Sequence, residues 1–95
     1  MKLISLKPSN RKGKKYVAVI VDGQTQHTIH FGADGYTDFT INKSEATKAA
    51  YLARHSVRED WNNPLTAGFW SRWILWNKPT ISESLADVRR RFSLD

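Results

Sequence analysis

Lys7, Arg11, Lys12, Lys14 and Lys15 crowd a Pro8-Ser9-Asn10-Arg11-Lys12-Gly13 segment. A flexible basic loop of this kind suits contact with phosphate oxygens, which positions a polyanion without reading its sequence. Arg54 and Arg58 stand four residues apart, so a helix would carry them on one face. Arg89, Arg90 and Arg91 form a third group near the C-terminus, where cations complement a helix dipole. Converged in space, the three groups would make one continuous basic face; taken singly, each reads as a solvated loop or a helix-end charge.

The residue types for acid–base or metal chemistry are sparser. His27-x-x-His30 has ligand-like spacing, but positions three apart on a strand point to opposite faces and would not meet on one ion. His55 with Asp34 or Asp38 would make a hydrolytic pair of the metal-dependent nuclease kind only if carboxylates converge there, with Glu45, Glu59 and Asp60 the nearby candidates. Otherwise His55 and Asp38 supply hydrogen bonds that tie a turn to a helix. Gly68 lies in no phosphate-binding loop, and neither a Walker pattern nor a dinucleotide fingerprint occurs. No catalytic residue, metal site or cofactor is assigned.

The run from Thr66 to Thr80 holds three of the four tryptophans, and this density serves a core or a contact surface equally well. The chain has no cysteine, so packing alone must stabilise it, and a core role for Trp70, Trp73 and Trp76 is favoured. On that reading Trp73→Ala costs about 3–5 kcal/mol. If part of the run faces a partner, Trp70, Arg72 and Trp76 are the contact residues. Arg72 either stacks on a neighbouring tryptophan or pairs with Glu59 or Asp60.

With 95 residues the chain is read as one domain, and 40% hydrophobic residues make it globular rather than disordered. The apolar stretch at Met1 to Leu6 is shorter than a signal-peptide core, and no run approaches the ~20 residues that span a bilayer. A soluble, intracellular protein without a membrane partner is expected. A net charge of +6 on so small a domain favours polyanions: nucleic acid first, then acidic protein surfaces or anionic lipid.

The elements that must position these residues divide the chain into a β-rich half, 1–41, and a helical half, 42–95. Lys15 to Val21 is β-branched and ends at Asp22-Gly23, a tight-turn signal that predicts a hairpin with Gln24 to Phe31, whose Thr25, His27, Ile29 and Phe31 alternate as one half-buried face. An opening strand at Lys2 to Leu6 and a short extended piece at Tyr36 to Thr40 are also expected. Asn42 and Glu45 have capping-box spacing and predict a helix over about Lys43 to Arg58, with Ala46, Ala49, Ala50, Ala53 and Val57 as its apolar stripe and Tyr51 and Leu52 widening it. Thr66 caps a second helix, Ala67 to Trp76, with Phe69, Trp73 and Trp76 on one face and Trp70 and Ile74 beside it. Ten residues cannot hide these rings against one neighbour, so the helix is either wedged between two elements or open to a partner. Thr80-x-x-Glu83 starts a third helix that buries Leu85, Val88 and Phe92. The expected fold is α+β, a small antiparallel sheet packed against three short C-terminal helices.

The segments Phe31-Gly32-Ala33-Asp34-Gly35-Tyr36-Thr37-Asp38-Phe39-Thr40, Arg54-His55, Trp61 and Thr66 to Thr80 resemble a family of small proteins of unknown function from large DNA viruses and phages. Met1 to Lys15 falls outside these segments. The resemblance implies a viral origin and a setting inside the infected cell, in cytoplasm or nucleus, or in the virion. Two functional expectations follow. In one, the chain binds nucleic acid, DNA first, or nucleoprotein, through sequence-independent phosphate contacts from Arg11, Lys12, Lys14, Lys15, Arg54, Arg58, Arg89, Arg90 and Arg91. In the other it is a minor virion or capsid protein that docks through its aromatic helix; a small nuclease-like hydrolase is a third reading.

Overall fold

The β-branched run before Asp22 becomes the central strand of a meander. In the computed structural model, which describes residues 1–95, β1 (Lys2–Pro8), β2 (Lys14–Asp22) and β3 (Thr25–Ala33) form an antiparallel sheet in that order. Asp22 pairs with Thr25, so the turn residues are Gly23 and Gln24, one step later than the Asp-Gly signal suggests. Gly23 at φ 63° supplies the left-handed first position of a tight hairpin turn. In β1 the register shifts between Leu3 and Ser5. This bulge leaves Ile4 half-exposed and turns both Leu3, opposite Ile20, and Leu6, opposite Ala18, toward the same core.

Near the end of β3, Gly32 adopts φ +80°, and a Cβ there would stand 2.8 Å from Leu75 Cδ1 and 3.1 Å from Lys15 Cβ. Gly32→Ala is therefore expected to lower stability by about 1–3 kcal/mol, through the left-handed backbone and overpacking together. A urea melt followed by circular dichroism checks this; an unchanged midpoint would mean that β3 and Leu75 are free to part.

Tyr36 to Thr40 forms no strand; Asp38 is extended, and Phe39 and Thr40 are already helical. After a turn at Ala33 to Tyr36, Asp38 caps a single-turn helix, α1 (Phe39–Asn42), by accepting from Thr40 N at 2.8 Å. Lys43, in the left-handed region at φ 52°, closes α1. The next helix, α2 (Glu45–His55), is capped by Ser44, which accepts from Thr47 N at 3.2 Å, rather than by Asn42. Asn42 instead accepts from Ser44 N. The helix also stops at His55, three residues before the expected end.

Its buried face is the other correction. Ala46, Ala49, Ala50 and Ala53 are exposed, and Val57 is 81% exposed, whereas Lys48, Tyr51, Leu52 and His55 turn inward. Both sets have helical spacing, and the set carrying a tyrosine and a leucine removes far more apolar area from water than a row of methyl groups.

Thr66 caps α3 (Ala67–Trp70) as expected, accepting from Phe69 N at 3.2 Å. The helix then widens into a π-helical turn, Ser71–Leu75, closed by Trp76 N donating to Ser71 O at 3.1 Å. The extra residue in this turn rotates the later side chains off a simple α-helical face. Trp70 packs toward Phe31 of the sheet, Phe69 meets Phe92 edge-on at 4.8 Å, and Trp76 stacks on Tyr51 at 4.5 Å. The aromatic segment is thus wedged between the sheet and its neighbouring helices.

The last helix, α4 (Ile81–Phe92), begins at Thr80, whose hydroxyl accepts from Glu83 N and donates to Glu83 Oε1. Val88 is fully buried, with Leu85 and Phe92 packed at the edge of the core. Asn77 donates to Asp87 at 2.8 Å, and Lys78 N donates to Ser84 Oγ at 3.0 Å, which fastens the 76–80 connection to α4. The chain end returns to the sheet, where Leu3 N donates to Asp95 O. The architecture is α+β, with the helices following the sheet in sequence. No helix is long and apolar enough to cross a membrane.

Candidate nucleic-acid interface

The β3–α1 connection is tied to the sheet at both ends: Asp34 N donates to Gly13 O at 3.0 Å, and Lys15 holds the segment before α1. Lys15 Nζ reaches Asp38 Oδ2 at 2.7 Å and also donates to the Tyr36 carbonyl. The pair is largely buried, with Lys15 11% and Asp38 2% exposed, and Asp38 Oδ1 takes both the backbone and the hydroxyl of Thr40. Both oxygens of Asp38 are therefore engaged, and Lys15 serves the fold before it can serve a ligand.

Two recesses flank this pair and share Lys14, Lys15, Tyr36, Thr37 and Asp38 in their walls. One, of about 530 Å³, opens between the β3–α1 turn and the helices, with Arg54, His55, Glu59 and Gly68 on its far side. The other, of about 660 Å³, continues past Ser9 and Asp34 toward Ile41. Inside the first, His55, Tyr51 and Trp76 form a stack: Tyr51 lies 4.2 Å from the His55 ring and 4.5 Å from Trp76, nearly parallel to the latter. Burial, reinforced by the nearby Glu59 carboxylate, pushes the Tyr51 hydroxyl up to about 12 and keeps it neutral. Glu59 rests against the bare Cα of Gly68, where a Cβ would collide with its carboxylate.

Apart from Lys15, the lysine and arginine residues in these walls are Lys14, in both recesses, and Arg54, in the smaller one. The loop bearing Arg11 and Lys12 leaves the sheet at Ser9 and returns at Lys14, both wall residues. Ser9 Oγ meets His30 Nδ1 at 2.7 Å, and His30 is held below its ordinary value by desolvation first and then by Arg11 and Lys14. Opposite, α2 ends in Arg54 and His55, and the turn carrying Arg58 runs from His55 to Glu59. Arg11, Lys12, Lys14, Arg54 and Arg58 are exposed, and none lies within salt-bridge distance of a carboxylate. With Lys15 and Asp38 neutralising each other, the walls themselves are mixed: Lys14 and Arg54 stand with Asp34 and Glu59.

The C-terminal arginines do not line this cleft. Arg90 and Arg91 bind Asp87 at 2.7 and 3.3 Å, and Arg91 also lies over Trp73. Burial alone would raise the Asp87 carboxyl, but the hydrogen bonds from Asn77 and Arg91 and the charge of Arg91 hold it below the usual range. Arg89 reaches toward the Leu94 carbonyl. These three residues finish and staple α4.

The proposed contact residues on the aromatic segment are also corrected. Trp70 is 0% and Trp76 8% exposed, so neither offers a face to a partner without opening the core. For Trp70, Nε1 finds an acceptor in Pro64 O at 2.7 Å, which offsets the cost of burying its indole N–H. Arg72 stacks on Trp73 at 4.1 Å and donates to Trp76 O, taking the tryptophan option rather than Glu59 or Asp60.

Asp34, Asp38 and His55 are arrayed along the two recesses, but no three His, Asp or Glu side chains come together as an ion cage. His55 spends its ring on Tyr51, and Asp38 is bonded to Lys15 and Thr40 rather than to His55. The sequence contained usable traces of this site: Tyr51 and His55 are four apart on a helix, and Asp38 two before Thr40 is a capping pattern. Nothing local connected Lys15 to Asp38, or singled out Tyr36.

Sheet, aromatic layer and cleft define a small α+β domain with an open, basic-rimmed groove. The chain belongs to a family of unknown function, DUF5754, whose model matches residues 4–55. That span takes in the basic loop, which the sequence resemblance had left outside, and ends before the aromatic segment. No curated protein and no solved structure matches the chain.

Proposed function

We propose that this protein binds nucleic acid, DNA in the first instance, through sequence-independent phosphate contacts along the two rims of the cleft. The observation that carries this reading is a set of exposed, unpaired cations in and beside the cleft: Lys14 and Arg54 line the same recess, Arg11 and Lys12 lie on the loop that precedes Lys14, and Arg58 lies on the turn after α2. A chain of +6 net charge raises the local concentration of a polyanion, and unpaired side chains are free to release its counterions. Lys15, Arg90 and Arg91 drop to supporting roles, since each already has a carboxylate. The viral or phage origin implied by the sequence resemblance belongs to this reading, and would place the protein with nucleic acid or nucleoprotein in the infected cell or particle. Docking onto a virion protein through the aromatic helix is the second reading; with Trp70 and Trp76 in the core, Arg72 and Trp73 are the residues of that segment left to carry it.

Titration with short single- and double-stranded DNA at two salt concentrations tests the proposal. Binding is expected to fall steeply as salt rises, with a log–log slope of about −0.7 to −0.9 for each phosphate neutralised. Arg54→Glu with Arg58→Glu is expected to abolish binding while leaving the melting curve in place, because both side chains are exposed. Unaltered affinity in that variant would take the α2 rim out of the interface, and absence of binding at low salt would sink the proposal.

A further inference from the structure

Tyr36 differs from every other aromatic side chain in the protein. Each other Phe, Tyr or Trp ring has an aromatic or cationic neighbour, whereas Tyr36 has none and is 73% exposed. Its backbone is fixed all the same. Its N–H donates to Ala33 O at 3.3 Å, its carbonyl accepts from the buried Lys15, and Gly35 at φ +87° sets the turn before it. The ring is therefore displayed on an anchored turn where the two recesses meet, with Lys14 in both of their walls.

The charges around it say what fits there. The free carboxylates of Asp34 and Glu59 in the walls repel phosphate, yet they accept hydrogen bonds from the amino groups of a nucleobase. Phosphates are favoured at the rims and bases in the cleft. A duplex keeps its base faces stacked inside and cannot make that exchange, while an unpaired strand presents them.

We propose that the cleft takes single-stranded nucleic acid, with one unstacked base lying on the Tyr36 ring and the flanking phosphates held by Lys14 and Arg54. The inference rests on the phosphate-contact reading and specifies the form of its ligand. Pinning by Lys15 means that little order need be gained on binding, so the stacking contribution survives in the affinity.

The experiment compares three probes by fluorescence anisotropy at fixed salt: a short labelled single strand, the same strand with abasic residues, and a duplex of equal length. Each is titrated with the wild type, Tyr36→Ala and Tyr36→Phe. The base-bearing strand is expected to bind about 5- to 160-fold more tightly than the abasic strand, the range that one base–aromatic stack provides. Tyr36→Ala is expected to lose that factor, to leave abasic binding and the salt slope as they were, and to melt like the wild type. Tyr36→Phe is expected to retain it. A ring of merely structural importance would instead lower the melting temperature and weaken both strands alike, which overturns the inference. Equal binding of base-bearing and abasic strands, or preference for the duplex, overturns it too while leaving the phosphate reading standing. Failure of all three probes to bind removes both.

Discussion

Trp70→Ala is expected to destabilise the domain by about 3–5 kcal/mol, a large part of the roughly 5–15 kcal/mol that holds a typical domain folded. The ring is wholly buried, touches Phe31 of the sheet on one side and lies edge-on to Phe69 at 5.0 Å on the other, and donates to Pro64 O. Its removal leaves a void between the sheet and the helices and orphans a carbonyl in the 61–66 connection. Urea denaturation followed by circular dichroism measures the loss. Trp73, half-buried against Phe92 and two arginines, is expected to lose less than the full core penalty on the same substitution. A larger effect at Trp73 than at Trp70 would place the centre of the core on the α4 side instead.

Asp38→Ala is expected to cost a further large amount, about 3–5 kcal/mol, because it leaves the Lys15 ammonium with little water and no counter-charge. The same change removes the cap of α1. The double variant Lys15→Met, Asp38→Asn keeps a capping side chain and deletes both charges, so it is expected to recover most of the loss. The recovery separates a buried ion pair from a simple packing defect. A loss below about 1 kcal/mol for Asp38→Ala, the level of an exposed pair, would show that water reaches Lys15 and that the β3–α1 turn is held by other contacts.

The two effects fall on the two parts of the molecule that make the cleft. Trp70 holds the helical layer to the sheet, and the Lys15–Asp38 pair fixes the turn that carries Tyr36. The groove exists only while both are in place, since its walls come from β2, the β3–α1 turn, α2 and α3 together.

The sequence by itself determined what local chemistry controls. Asp22-Gly23 fixed the hairpin because only a tight turn accommodates that glycine between two β-branched runs. Thr66 and Thr80 started their helices because a hydroxyl there satisfies amides that would otherwise lack partners. The α+β division followed from the change of pattern between the two halves, while the number of rings on so short a helix left two options, wedged or open to a partner, between which the tertiary packing chose. Tertiary structure decided whatever depended on a choice between equivalent local patterns. On α2 the alanine stripe and the Lys48, Tyr51, Leu52, His55 stripe have the same period, and neighbours distant in sequence, Trp76 on Tyr51 and Asn77 on Lys48, select the second. Asn42 and Ser44 could each cap that helix, and the choice follows from α1, which ends on a left-handed Lys43 between them. The π-turn at Ser71–Leu75 accommodates contacts on opposite sides that an α-helix would not align. The cleft was illegible for the same reason: Lys15 finds Asp38, and Lys14 and Arg54 come to line one recess, across separations at which sequence periodicity carries no information, and only packing brings such groups together.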